Sequence, residues 1–196
     1  MPPVEKAPDP RVMRTRAMVV QTAADLLLER GVAAVTIEAV VQRSGVARST
    51  IYRHWPTRGD VVAAAFTHLM PPSHEPPERG DVRQRLRAVV LPKAEEMSSH
   101  QYVALLPSLL NEAARDPELR KVHAQFVNLQ QAPLSRVLTE AIDAGELPEN
   151  LDVDEACAEL LGPVLFLRVI IGRQIDPGFA PRLIDAFVSR HGAKGN

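Results

Sequence analysis

The richest run of chemistry-bearing residues is Ala47-Arg48-Ser49-Thr50-Ile51-Tyr52-Arg53-His54-Trp55. On a helix, Ile51 turns inward with Val40 and Val46 as partners, which leaves Arg48, Ser49, Thr50, Tyr52, Arg53 and His54 on the outer surface. Guanidinium, hydroxyl, phenol and imidazole groups together bond phosphate oxygens and base edges. Charge points the same way. Of the 196 residues, 23 are basic and 24 acidic, yet residues 11 to 58 hold eight arginines against Asp25, Glu29 and Glu38, a local charge of +5. The remainder carries 15 basic and 21 acidic residues, or −6. A basic block on an acidic body suits a chain in which only that block meets a polyanion.

Other chemistry has no signature here. The chain has no Gly-rich phosphate loop, no GxSxG elbow, no HExxH and no regular EF-hand spacing, which argues against an enzyme. The six histidines (54, 68, 74, 100, 123, 191) are scattered, and no two of them share an i, i+4 spacing, so neither a metal nor a cofactor is expected. One cysteine, Cys157, near the start of an apolar helix, reads as a small core residue and allows no internal disulfide. No apolar run approaches a bilayer span, and Met1-Pro2-Pro3-Val4-Glu5-Lys6 lacks a signal-peptide pattern. The expectation is a cytoplasmic protein with no membrane contact.

The elements that must position the basic surface follow from periodicity and punctuation. Residues 1 to 10, with four prolines, read as a disordered arm. Val19, Val20, Ala23, Ala24, Leu27 and Leu28 mark an amphipathic helix from about Arg11 to Arg30, stopped at Gly31. Thr36 N-caps a short second helix with Glu38 in its first turn, ending near Arg43. Ser44-Gly45-Val46 makes a tight break, and a third helix runs from about Ala47 until Pro56 ends it. Thr57 and Asp60 form a capping-box variant at the start of a fourth helix carrying Val61, Val62, Ala65, Phe66 and Leu69. Short helices joined by a glycine turn fit a helix-turn-helix, of which the second helix of the pair is the reader.

From Thr36-Ile37-Glu38 through Gly45-Val46 to Tyr52-Arg53-His54-Trp55, the chain closely resembles the DNA-binding domain of the TetR family of repressors, over residues 11 to about 66. Val41 and Ser44 stand where alanine is common, Trp55 where phenylalanine is, and Gly59 falls in the first turn of the next helix. The resemblance implies phosphate contacts from Thr36, Thr50, Tyr52 and His54, with Arg58 in place of the usual lysine. It puts Ala47, Arg48 and Ser49 against base edges, with Arg48 as the guanine reader, worth about 1–3 kcal/mol of discrimination. Arg11 and Arg14 are expected on an adjacent backbone or minor groove.

Pro71-Pro72 and Pro76-Pro77 place a domain boundary near 71, which makes residues 11–70 the DNA-binding part with its connecting helix and 71–196 a helical bundle. Helical patterns at about 81–98, 101–115, 117–143, 153–172 and 178–190 give an all-α chain of about nine helices, and Pro92, Pro107, Pro133 and Pro163 should kink or split theirs. By the resemblance, the body binds a small-molecule effector and dimerises. Pocket candidates are Met97, Tyr102, Leu105, Leu109, Phe126, Leu129, Gln130, Phe166 and Arg168, and Arg168, if buried, needs a carboxylate or an anion. Leu160, Leu161, Val164, Leu165, Leu167 and Ile171 cover nearly all sides of one helix, and Phe179, Leu183, Ile184 and Phe187 follow, so these ten are expected at a two-fold interface. The reading is a dimeric repressor of an inverted-repeat operator, responsive to a small-molecule effector. Two alternatives stand beside it: a helical ligand-binding protein or enzyme with a vestigial helix-turn-helix, and a DNA-binding activator or architectural protein without an effector.

Overall fold

The computed structural model describes residues 9–70 and 74–192, apart from the side chains of His100 and Tyr102. Among the described residues the chain forms nine α-helices and no strand. They are α1 (Pro10–Arg30), α2 (Ile37–Ser44), α3 (Arg48–His54), α4 (Arg58–Leu69), α5 (Val82–Met97), α6 (His100–Ala113), α7 (Pro117–Asp143), α8 (Val153–Leu165) and α9 (Phe179–His191). A 3₁₀ turn (Val32–Ala34) follows α1, and a π-helical stretch (Phe166–Ile170) continues α8. Among these residues no helix is long and apolar enough to cross a membrane. The expected disordered arm, residues 1–10, lies outside the described residues up to Pro8; Pro10 opens α1, with the Asp9 side chain accepting from the Arg11 N–H at 2.8 Å.

The prolines expected to kink or split their helices split none of them. Pro92, Pro107, Pro133 and Pro163 each lie inside a continuous helix, so each removes one backbone donor without ending its element. After Pro163 alone the ladder widens, into the π-helical stretch that begins at Phe166.

Two compact units emerge. The first contains α1 to α4 and the segment Ser108–His123, the end of α6 and the start of α7. Its core is the inner stripe of α1 (Val19, Ala23, Leu27), closed by Val40, Ile51, Val62 and Phe66, all at most 2% exposed. Burying each of these side chains larger than alanine is worth about 1.5–3 kcal/mol. Leu109, Leu119 and Val122 of the second segment are buried with them. The second unit holds residues 74–107 and 124–192, where α5 packs on α8 and α9. Leu86, Val90, Met97, Leu134, Leu138, Leu160, Ile184 and Phe187 fill its interior.

Candidate nucleic-acid interface

Local rules build the interface. Thr36 caps α2, its Oγ1 accepting the Ala39 N–H at 3.1 Å, and its hydroxyl proton remains available for donation. Gly45 ends α2 with φ +70° and ψ 3°, left-handed geometry that a Cβ disfavours, and so turns the chain into α3. Ile51 is fully buried and anchors α3, and Trp55 is 6% exposed just beyond it. Ala47, Arg48, Ser49, Tyr52 and Arg53 are exposed, with Thr50 and His54 half-buried. Ile51 thus lies inward and Arg48, Ser49, Tyr52 and Arg53 outward as the spacing predicts, while Thr50 and His54, expected outside, lie between.

Electrostatics refine that picture. The Arg48 guanidinium pairs with the Glu38 carboxylate of α2, and its Cζ lies 6.0 Å from the centre of the Tyr52 ring. Arg43 makes a fork with Glu29 at 2.6 Å on both arms, tying α2 to α1, and this pairing holds the Glu29 carboxyl below its ordinary value. Arg16 sits 5.7 Å over the Trp55 ring, which also meets His54 edge-on at 5.7 Å. Arg11 and Arg14 are exposed on the first turns of α1.

Arg58, expected at a phosphate, turns inward in the chain without DNA. Its Nε donates to the Val35 carbonyl and its Nη2 to the Val32 carbonyl, both at 2.8 Å, with Asp116 3.5 Å from Nη1. The guanidinium is committed inward, because its length carries it across the 32–35 turn. Beside it, Gly59 has a clear reason to be glycine: its N–H donates to Glu118 at 3.1 Å, and a Cβ would lie 2.7 Å from Glu118 Cγ. Ser108 closes the same corner by accepting the Val32 N–H at 3.0 Å.

The body residues named from sequence scatter. Met97, Leu105 and Phe126 are buried, while Leu129 and Phe166 are 68% and 54% exposed and line no interior. Leu109 falls in the first unit, and the Tyr102 side chain lies outside the described residues. Gln130 is half-buried and accepts from Lys93. Arg168 is buried and, where the sequence calls for a carboxylate or an anion, Nη2 donates to Ser98 O at 2.9 Å and Nη1 to Arg173 O at 3.1 Å, while Nε has no partner among the described residues. Carbonyls can hold a guanidinium because its fork matches two acceptors at once. Of the ten expected interface residues, Leu160, Leu161, Val164, Ile184 and Phe187 are at most 6% exposed within the chain and belong to its core. Leu165, Leu167, Phe179 and Leu183 are half-buried, and Ile171 is exposed. Within the chain, α8 packs on α5 and α9.

Sequence reasoning missed Lys93 and Arg85, 6% and 7% exposed, and the role of Glu38. Lys93 pairs with Glu96 at 2.8 Å, and burial lowers its pKa. The signal was there, since Arg85 and Lys93 occupy the same stripe of α5 as Leu86, Val89 and Met97. The second unit also bears an open cleft of about 380 Å³ between α5 and residues 175–181, lined by Leu91, Glu95, Ile175 and Pro181 among others.

A capped short helix, a left-handed glycine and a polar helix set on a buried isoleucine define a helix-turn-helix DNA-binding protein. Family profiles place it more narrowly: residues 19–65 match that of "Bacterial regulatory proteins, tetR family" and residues 76–187 that of "Tetracyclin repressor-like, C-terminal domain". The chain belongs to the TetR family, whose members are DNA-binding transcriptional regulators and not enzymes. The uncharacterised HTH-type transcriptional regulator Rv1556 of Mycobacterium tuberculosis is 29% identical over 161 residues, 82% of this chain and 79% of its own length. The crystal structure of the TetR family transcription regulator SCO0332 superimposes with a TM-score of 0.69 at 26% identity, covering 90% of this chain and 97% of that one. The flavonoid-responsive regulator FrrA, at 21% identity, shares the fold with a TM-score of 0.74 over 93% of this chain and 100% of its own.

Proposed function

We propose that this TetR-family regulator is a repressor that binds an inverted-repeat operator as a homodimer and responds to a small-molecule effector. The observation that carries the reading is the division of α3, with Ile51 buried and Arg48, Ser49, Tyr52 and Arg53 turned outward as one polar surface. In it Ala47, Arg48 and Ser49 meet base edges, Thr36, Thr50, Tyr52 and His54 meet phosphates, and Arg11 and Arg14 reach the neighbouring backbone. Arg58 serves as a positioning residue for the 32–35 turn. Residues 11–70 form the DNA-binding domain, in one compact unit with Ser108–His123, and the remainder of 71–196 forms the effector and dimerisation domain. The exposed Phe166, Ile170 and Ile171 support a two-fold contact, since a cluster of large apolar side chains in water marks an association surface. Effector binding draws support from the family and from the cleft beside α5, whose size suits a small molecule. FrrA is by name responsive to a flavonoid; the effector class here is a separate matter.

The test compares binding of the purified protein to its own upstream intergenic DNA and to random DNA of equal length, at about 150 mM salt, with Arg48→Ala beside it. Preference of about a thousandfold, reduced selectively by Arg48→Ala, is the expected result. Equal binding to both, followed by a genomic selection that enriches nothing, overturns the reading.

A further inference from the structure

Two of the three carboxylates in the basic block, Asp25 and Glu29, face Arg43 and help hold α1 to α2. The third has a different job. Glu38, in the first turn of α2, is exposed and pairs with Arg48, the first residue of α3. A carboxylate on a surface meant for DNA weakens every phosphate contact nearby, so its presence there calls for a reason.

We propose that Glu38 is a specificity-determining residue of the interface: it buttresses Arg48 so that the guanidinium takes a guanine edge and refuses a phosphate. The inference rests on the DNA-binding reading above. Glu38 pairs with the Nη2 side of Arg48, leaving the guanidinium its other N–H donors, enough to span guanine O6 and N7. The Tyr52 ring, one helical turn along α3, limits the side chain from a second direction. A guanidinium held by two neighbours loses less rotamer freedom when it meets a base, so the contact is pre-organised. The selection then follows from charge. Guanine O6 and N7 are neutral acceptors and feel little from a carboxylate beside the arginine. A phosphate drawn to Arg48 comes within a few ångströms of Glu38 and meets a like charge. An unbuttressed arginine binds both, phosphate more strongly. Glu38 therefore lowers affinity for DNA in general and raises the ratio of specific to non-specific binding, the quantity that matters against a genome of competing sites.

The experiment uses the full-length protein, a short random-sequence duplex, and the best duplex obtained by in vitro selection with the wild-type chain. Binding is measured between about 50 and 200 mM salt for wild type, Glu38→Gln, Arg48→Ala and the double variant. Glu149→Gln, at an exposed loop residue, serves as a control that removes the same charge away from Arg48. Glu38→Gln is expected to bind random duplex at least about threefold more tightly, with a salt slope steeper by about 0.9 per subunit. Its preference for the selected duplex falls roughly tenfold, chiefly at a G·C pair. In the Arg48→Ala background the Glu38 substitution has no such effect, and Glu149→Gln leaves the preference intact. Thermal melting of each variant confirms that it is folded. If wild type binds DNA selectively while Glu38→Gln matches it in slope and preference, or if the two substitutions add independently, the inference is overturned and the DNA-binding reading stands. If wild type prefers no sequence, both fall.

Discussion

Arg58, the first residue of α4, donates from Nε to the carbonyl of Val35 at 2.8 Å, so the start of α4 is stitched to the turn that leads into α2. The Val32 carbonyl takes a second bond from the same guanidinium. Charged hydrogen bonds of this kind are worth about 1.5–3 kcal/mol each, less where solvent reaches them. Arg58→Ala is expected to cost about 2–3 kcal/mol and to lower Tm by roughly 5–10 °C. Arg58→Lys recovers only part of the loss, because an ammonium on one stem cannot reproduce a planar fork. A thermal melt of both variants decides it, and an unchanged Tm for Arg58→Ala would remove the stitch.

At Gly45 the penalty for substitution is conformational alone. Its φ of +70° lies in the left-handed region, and nothing stands within 4 Å of the position a Cβ would take. Gly45→Ala should therefore destabilise by about 1–2 kcal/mol without steric conflict. Gly45→Asn should cost less, since asparagine tolerates this geometry better. Denaturant unfolding of the pair checks the order; equal losses would point to packing instead.

The last two helices separate core from surface. Phe187 is 1% exposed, and Phe187→Ala is expected to cost about 3–5 kcal/mol at any protein concentration. Ile170 is 69% exposed, and Ile170→Glu should leave the fold intact while shifting the proposed dimer towards monomer. Light scattering alongside melting distinguishes the two behaviours. A fully dimeric Ile170→Glu would move the association surface elsewhere.

Cys157 has no exposed surface, with its Sγ 3.6 Å from Ser135 Oγ, and burial raises its thiol pKa. Alkylation proceeds through the thiolate, which a raised pKa makes scarcer at neutral and mildly alkaline pH. The native protein at pH 8 should label with iodoacetamide far more slowly than the denatured chain. Mass spectrometry of timed samples gives the rates, and comparable rates would contradict the buried placement.

The sequence by itself determined the helices and the reader. Apolar residues three and four apart, the caps at Thr36 and Thr57, the capping box of Thr57 with Asp60 and the left-handed Gly45 are local signals, because each acts within a turn or two of its own backbone. The same locality made the outward face of α3 legible from Ile51 alone. It also allowed the prolines to split their helices, which none of the four does, since packing holds a helix together through a missing donor. Only the tertiary structure decided which charges meet. Arg58 bonds carbonyls 23 and 26 residues away, Lys93 meets Gln130 across 37 residues, and Arg85 pairs with Glu140 across 55. It likewise decided that Leu160, Val164, Ile184 and Phe187 are interior and that Phe166 and Ile170 face water. An apolar stripe records only that a surface avoids water; what covers it depends on which distant helices pack there, and a single helix's spacing carries no trace of that.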